Sequence, residues 1–401
     1  MPEERHLREK EGTGMNLTYI TWGYAWDQAI IAAFEQIGFT VEQVATKLSE
    51  NDEKLFVEEL LGGRASDIVF SVNFYKEISD FCQREGVPYA SWVLQLPDFD
   101  LYTAAVTNTC NYIGICDSYL VHKLWEKGVT KAFYLPDAIE APKNSKEENK
   151  FLYREACFVA EYQKPSLHTE TIPVYSRGYI DAFLHTQRVL MGEYILENGL
   201  IERVHRDVMN ANPVPEGILP EFHKLFLADK YLAPACTALQ QSIFLQNYEK
   251  IMTIYSNGDF SACKCEKHPF LEDTVSRNRV YAEKEFTVVL APHTLHNGIP
   301  RQVLEVIAAG GFPLCTMQKD YSYFFKEDEN LACFHSMGEF NDLLVRYGND
   351  ADRREKLRQA AYELVVSQHT YQHRIQLCLR CGKKCDKAVG WRIGNEVGNQ
   401  F

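Results

Sequence analysis

The stretch "LHNGIPRQVLEVIAAGGFPL" occupies residues 295–314. It reads as a Gly-Pro turn, a short helix from Pro300, a double glycine and an apolar strand. On a helical wheel with Arg301 at the origin, Glu305 lies about 40° away, and Ala308 and Ala309 flank the pair. Val303, Leu304, Val306 and Ile307 fill the opposite face, so one side of the helix packs on a sheet. The other side offers a cation, a carboxylate and small residues that permit close approach. Pro300 suits a first helical turn. Free backbone N–H groups there, with the helix dipole, favour a bound anion such as a diphosphate. An arginine at that end is electrostatically disfavoured, and Arg before Glu is the weaker i,i+4 order. An anionic ligand removes the conflict. Gly310 and Gly311 let the chain leave the helix and pass close to another group. A plainer reading stands beside this one: a solvated Arg301–Glu305 pair followed by an ordinary helix stop.

Outward from this stretch, strands and helices alternate. "LTYITW" (17–22), "VEQVA" (41–45), "DIVFSVNF" (67–74), "PYASWVLQ" (88–95), "YIGICDS" (112–118) and "KAFYLP" (131–136) are strand-like. Helical periodicity fills the gaps, as in "WDQAIIAAFEQIGF" (26–39), a polar helix over 51–62, and "YKEISDFCQREG" (75–86). Such alternation predicts a parallel sheet covered by helices. A polar linker, "DAIEAPKNSKEENK" (137–150), ends this unit. "EACFVAEY" (155–162) opens a second series. After a helical insertion over about 175–250, strands resume at "KIMTIYS", "FTVVLAP" and "GFPLCT", and the end is helical. The expected organisation is a leader over 1–15, a Rossmann-like domain over 16–150, a second over 151–377, and a Cys-containing tail over 378–401.

Composition narrows the function classes. The chain has 401 residues, too many for one ordinary core. No apolar run approaches the ~20 residues of a membrane helix. The start, "MPEERHLREKEGTG", lacks an apolar signal core. A formal net charge of −13 argues against nucleic acid as a partner. Twelve cysteines without a secretory signal point to a reduced, cytoplasmic protein.

The 295–314 stretch and the segment after it resemble the C-terminal half of the CgeB-like glycosyltransferases, GT-B proteins named after a spore-maturation protein. The shared features are the "GIPR" turn, the Glu305 helix, "GGF" (310–312), the "YFFKED" segment and "HTYQHR" (369–374). "DIVFSVNFYKEISDFCQREGVPYASWVLQLPDFDLY" and "FYLPDAIE" are similar to the domain that precedes this module in the family. The resemblance covers roughly 60–380. It implies an α/β GT-B fold with two Rossmann-like domains facing a cleft. The second domain would bind a nucleotide-sugar donor, and the first a glycan or protein-linked acceptor, with no metal. It implies that Glu305 binds the donor ribose, that Gly310 and Gly311 lie by the diphosphate, and that Arg301 is the phosphate's cation. Asn297 stands where related enzymes often carry a second acid. Gln95, in "WVLQLP", also replaces an expected acid, and "FVAE" ending at Glu161 replaces "FVGS". These departures support an alternative: a GT-B-fold binding or scaffold protein without turnover.

Other groups carry two readings each. In "TWGYAWDQA" (21–29), Trp22, Gly23 and Trp26 are candidates for acceptor stacking, and Asp27 for a hydrogen bond or general base. The plain alternative is buried indoles and an Asp27 helix cap. With Gln95 unable to take a proton, Asp98 is the nearest candidate base. Asp98 and Asp100 also form a D-x-D pattern, readable as a metal motif or as a turn capped by its own side chains. His293 and His296 precede the donor helix, as phosphate contacts or loop residues. Cys378, Cys381 and Cys385, or Cys263 and Cys265 with His268, could hold a structural zinc or be ordinary thiols. A nonenzymatic metal-binding module is the further rival.

Overall fold

The structure, a computed structural model, describes residues 14–46, 57–140, 152–162 and 164–387. Most of the expected leader, residues 51–56 of the polar helix, the bulk of the linker, the tail beyond 387 and the Cys385 side chain lie outside that set. Twelve strands form two sheets among the described residues. The first sheet uses β1 (Met15–Thr21), β2 (Phe39–Ala45), β3 (Ile68–Val72), β4 (Tyr89–Val93), β5 (Asn111–Ile115) and β6 (Ala132–Tyr134), in the order β2-β1-β3-β4-β5-β6. The second uses β7 (Leu152–Ala160), β8 (Met252–Ser256), β9 (Glu266–His268), β10 (Lys284–Val289), β11 (Pro313–Thr316) and β12 (Ala332–Phe334), in the order β12-β11-β10-β7-β8-β9. Every pairing within both is parallel. The expected α/β architecture of two parallel sheets, each covered by helices, is therefore present.

The strand orders locate the ligand crevices. In the first sheet the chain runs from β1 out to β2, then returns past β1 to β3. In the second it runs from β7 to β8 and β9, then returns to β10 on the other flank. Crevices open outside the carboxyl ends of strands where the order reverses, here at β1/β3 and at β7/β10. The edge strands β9 and β12, three residues each, are absent from the sequence expectation. Three residues are too few to show a period.

The helical insertion lies between β7 and β8, with helices at Val174–Val189, Leu196–Gly199, Glu202–Ala211, His223–Leu227 and Ala233–Asn247. It does not pack on the second sheet alone. Ile180, Leu196, Phe222 and Leu232 share an apolar cluster with Leu101, Tyr102 and Leu120 of the first domain, while Phe244 and Leu245 join the core of the second. The insertion thus bridges the two domains. The final helix, Tyr371–Lys387, also crosses over. Its Ile375, Cys378 and Cys381 pack with Leu17, Ile30 and Phe34. Residue 378, expected to start a separate tail, sits inside this helix and against the first domain.

Candidate active site

The helix Arg301–Ala308 begins where the chain leaves the β7/β10 crevice. Its apolar face is buried as the wheel requires: Val303, Leu304, Val306 and Ile307 are each at most 1% exposed. Gln302 turns toward β7 and donates from Nε2 to the Val159 carbonyl at 2.7 Å. Glu305 lies on the same side. Its Oε1 accepts from Arg301 Nε at 2.9 Å, and Oε2 is 4.0 Å from Arg277 Nε. Oε2 accepts no hydrogen bond among the described residues, which leaves a half-buried acceptor at the crevice.

Arg301 escapes the electrostatic penalty of a helix start through groups from outside its helix. Nη2 donates to the Tyr371 hydroxyl at 2.9 Å and Nη1 to Asp137 Oδ1 at 3.4 Å. Its guanidinium carbon lies 4.5 Å from the Trp26 ring centroid. Burial works against the charge, but Asp137, Tyr371 and Glu305 outweigh it and raise the arginine's pKa. Burial pushes the Asp137 carboxyl above its ordinary range while Arg301 pulls it down. Trp26 follows β1, so the β1/β3 and β7/β10 crevices face one another across this stack. Asp137 is itself held by the "HTYQHR" segment: Arg374, 2% exposed, donates Nε to the carbonyls of Pro136 and Asp137 at 3.0 and 3.2 Å.

The backbone N–H groups ahead of the helix do hold an anion, and it comes from the protein. Asp117 Oδ2 accepts from the amides of His296, Asn297 and Gly298 at 2.7, 2.9 and 3.0 Å. Its Oδ1 caps the Ser118–Glu126 helix through Leu120 N–H. Asn297 also donates Nδ2 to Ser118 Oγ at 3.2 Å. Asp320 binds back to the first domain, accepting from Ser118 N–H at 3.0 Å. His296 Nε2 lies 2.8 Å from Asp229 Oδ1 of the insertion, and that carboxylate also accepts from Tyr102 at 2.6 Å and Tyr194 at 2.8 Å. Burial disfavours a charged His296, yet Asp229 and Asp117 raise its pKa. Both histidines before the helix are therefore structured rather than solvated. His293 donates its N–H to Thr237 Oγ1 at 2.8 Å, and burial pulls its imidazole down to about 4.

Gly310 and Gly311 require a correction. They end the helix, and the helix runs from the carboxyl end of β10 to the amino end of β11. The glycines therefore sit at the end of the sheet away from the crevice and not beside a diphosphate. Gly310 has φ 81°, a left-handed helix stop. A Cβ on Gly311 would lie 2.5 Å from the Tyr281 carbonyl oxygen. The close approach is real, but its partner is a neighbouring helix.

At the β1/β3 crevice, Trp22 stacks on Tyr75 at 4.0 Å, and Gly23 turns the chain with φ 82°. Asp27 is 3% exposed and accepts from the Tyr19 hydroxyl at 2.8 Å, the Tyr24 N–H at 2.9 Å and the Thr21 hydroxyl. It ties the turn together. Asn73, at φ 64°, donates Nδ2 to Gln95 Oε1 at 2.7 Å and accepts from Leu94 and Gln95 amides. Asp98 accepts from Phe74 N–H at 2.8 Å and Asp100 N–H at 3.2 Å. Burial pushes its carboxyl up to about 8 against those hydrogen bonds, and Asp100 adds to the shift. Asp100 pairs with Lys76 at 3.4 Å, so the D-x-D pattern is a self-capped turn here.

Among the described residues, no three His, Cys, Asp or Glu side chains cluster as a metal site. Cys263 and Cys265 are buried, whereas His268 stacks on Tyr255 and faces Glu266. Asp117, Asp137, Asn73 and Tyr371 were not among the sequence candidates. Asp117, directly before a helix, carries the one readable signal, that of an N-cap.

A glycosyl transferase-like family model, Glyco_trans_1_2, matches residues 244–380. That span starts in the last helix of the insertion and contains β8 to β12 with the Arg301–Ala308 helix. No curated protein matches the chain. Among solved structures, the chain is similar to a glycosyltransferase from Rickettsia africae, with 10% identity, 93% of this chain and 99% of that one covered, and a TM-score of 0.47. It is similar to Anabaena Alr3699/HepE in complex with UDP, with 8% identity, 94% and 100% covered, and a TM-score of 0.48. It is also similar to a UDP-forming α,α-trehalose-phosphate synthase from Burkholderia xenovorans, with 9% identity, 94% and 100% covered, and a TM-score of 0.49. The family match is confined to residues 244–380, which hold the Arg301–Ala308 helix and five strands of the second sheet.

Proposed function

We propose that this chain is a metal-independent glycosyltransferase that moves a sugar from a nucleotide-sugar to a glycan or protein-linked acceptor. The observation that carries the reading is the glycosyl transferase-like match over 244–380, because it spans the helix that presents Glu305 at the β7/β10 crevice. Glu305 Oε2 is the acceptor for donor ribose hydroxyls. Arg301 orients Glu305 and joins the two crevices through Trp26. The "GIPR" turn and the "HTYQHR" segment support a CgeB-like branch, and the cysteine content supports a cytoplasmic location.

Transfer breaks the bond between the anomeric carbon and the diphosphate oxygen and forms one to the acceptor oxygen. The acceptor proton needs a base if the sugar inverts. Asp98 suits this role better than Asp27, because Asp27 is 3% exposed and its carboxylate is already taken up by Tyr19, Thr21 and Tyr24. Trp22 and Gly23 flank the same crevice as acceptor contacts.

One observation favours the alternative of a non-catalytic GT-B protein. Asp117 already fills the amide group at 296–298 that would otherwise face a phosphate. A panel of nucleotide-sugars separates the readings, scored by released nucleotide and by thermal shift. A donor at 100 times its Kd should add about 2.7 kcal/mol of stability, with turnover when an acceptor is supplied. Stabilisation without turnover would favour the non-catalytic protein, and neither effect would remove the donor site.

A further inference from the structure

Asn73 directly follows β3 at the β1/β3 crevice, in the left-handed region with φ 64°, and is 7% exposed. Its side chain holds the exit of β4. Oδ1 accepts from the amides of Leu94 and Gln95 at 3.1 and 3.0 Å, and Nδ2 donates to Gln95 Oε1 at 2.7 Å. These bonds fix which way both side-chain amides point. A backbone N–H only donates, so the Asn73 atom that meets two of them is its oxygen. The other atom is then its NH2, and the Gln95 atom that meets it must accept. Gln95 therefore turns its oxygen inward to Asn73 and its Nε2 outward. Gln95 is exposed, and its Nε2 donates no hydrogen bond among the described residues.

Stability does not account for this arrangement. Ordering an exposed glutamine costs side-chain entropy, and a hydrogen bond in contact with water returns little. What the pair secures is two N–H donors held at one place on the crevice. The residues that follow set what those donors meet. Phe74 is held through its N–H by Asp98 at 2.8 Å, and Tyr75 stacks on Trp22 at 4.0 Å. Lys76 is paired with Asp100 and Glu77 at 3.4 and 3.7 Å, so its charge is already answered. A neutral donor beside aromatic rings suits an uncharged, hydroxyl-bearing ring. We propose that Gln95 is a specificity-determining residue for the acceptor: its Nε2 donates to a hydroxyl oxygen of an uncharged sugar, and Asn73 is the residue that positions it. The choice of a sugar rests on the glycosyltransferase reading, whereas the outward direction of the N–H donors rests on the Asn73 bonds alone.

The test is NMR titration of the full chain, labelled with nitrogen-15 at glutamine, with the methyl glycosides of glucose, galactose, mannose and N-acetylglucosamine as probes. The side-chain amide signals lost in Gln95→Glu are those of Gln95. At least one probe should shift them saturably. Gln95→Glu keeps an oxygen toward Asn73 and replaces the outward N–H donors with an acceptor. Its melting temperature should hold, while affinity for that probe falls about tenfold or more. Asn73→Asp still accepts from the two amides but, when ionised, has no proton for Gln95. It should weaken the same probe about threefold or more, with the Gln95 signals moving toward those of a free side chain. If no probe shifts the Gln95 signals, or Gln95→Glu binds as tightly as the wild type, the assignment is overturned. A lower melting temperature in both variants with unchanged sugar affinity would overturn it too, leaving a purely structural pair. Probe binding that depends on Gln95, with no nucleotide released from any nucleotide-sugar, would uphold the contact and count against transfer.

Discussion

The guanidinium of Arg301 stacks on Trp26 with 4.5 Å between its central carbon and the ring centroid. One residue follows β10 and the other follows β1, so this contact ties the two crevices together. The phosphate role that the family resemblance implies for Arg301 has a structural rival, because Asp137 and Tyr371 already satisfy the cation. Arg301→Ala leaves Asp137 buried without its partner. It should lower unfolding free energy by roughly 2–4 kcal/mol in urea melts, and lysine should restore little. Unchanged stability with a large loss of diphosphate affinity would return Arg301 to the phosphate.

Asp117 should behave as a cross-domain anchor. Asp117→Ala removes a charged acceptor from three adjacent amides. Stability should drop by about 2–4 kcal/mol. The amide protons of 296–298 should exchange with solvent much faster than in the wild type. Unchanged protection there would mean that the amides have other partners in solution.

Gly311 tests which end of the sheet the glycine pair serves. Gly311→Ala places a Cβ against the Tyr281 carbonyl, and overpacking of this kind costs about 1–3 kcal/mol. Donor affinity of the folded variant should stay within twofold of wild type. A selective loss of donor affinity, with the melting temperature intact, would put the glycines back beside the ligand.

Asp98 gives a pH dependence with a defined sign. Its folded-state pKa, about 8, is above the ordinary aspartate value. The folded state therefore holds this proton more tightly. The stabilising contribution is full below pH 4 and is lost as pH rises towards 8. Asp98→Asn should remove this slope, which is at most about 1.4 kcal/mol per pH unit. Parallel urea melts of both proteins from pH 4.5 to 8.5 would show it. Equal slopes would mean that Asp98 titrates normally.

Much of the fold is legible because its inner strands are long apolar runs between helical periods. β9 and β12 are not legible, since an edge of three residues is fixed by its neighbour and not by its own pattern. The Arg301–Glu305 face is readable from spacing alone. Its partners are not, because Asp137 and Tyr371 lie 164 and 70 residues away along the chain. The glycine pair shows a different limit. Sequence indicates a close approach but not which end of the sheet it occupies. Asp117 reads locally as a helix cap, and only the folded chain shows that its second oxygen crosses to the other domain.

The central claim is that Glu305 forms the donor site, and calorimetric titration of nucleoside diphosphates into wild type and Glu305→Ala tests it most directly. At least one nucleotide should bind the wild type at one site per chain. The folded variant should bind it about 10- to 150-fold more weakly, the roughly 1.5–3 kcal/mol of a hydrogen bond to a charged group. Equal affinity in the two proteins, or no binding by the wild type, would contradict the assignment.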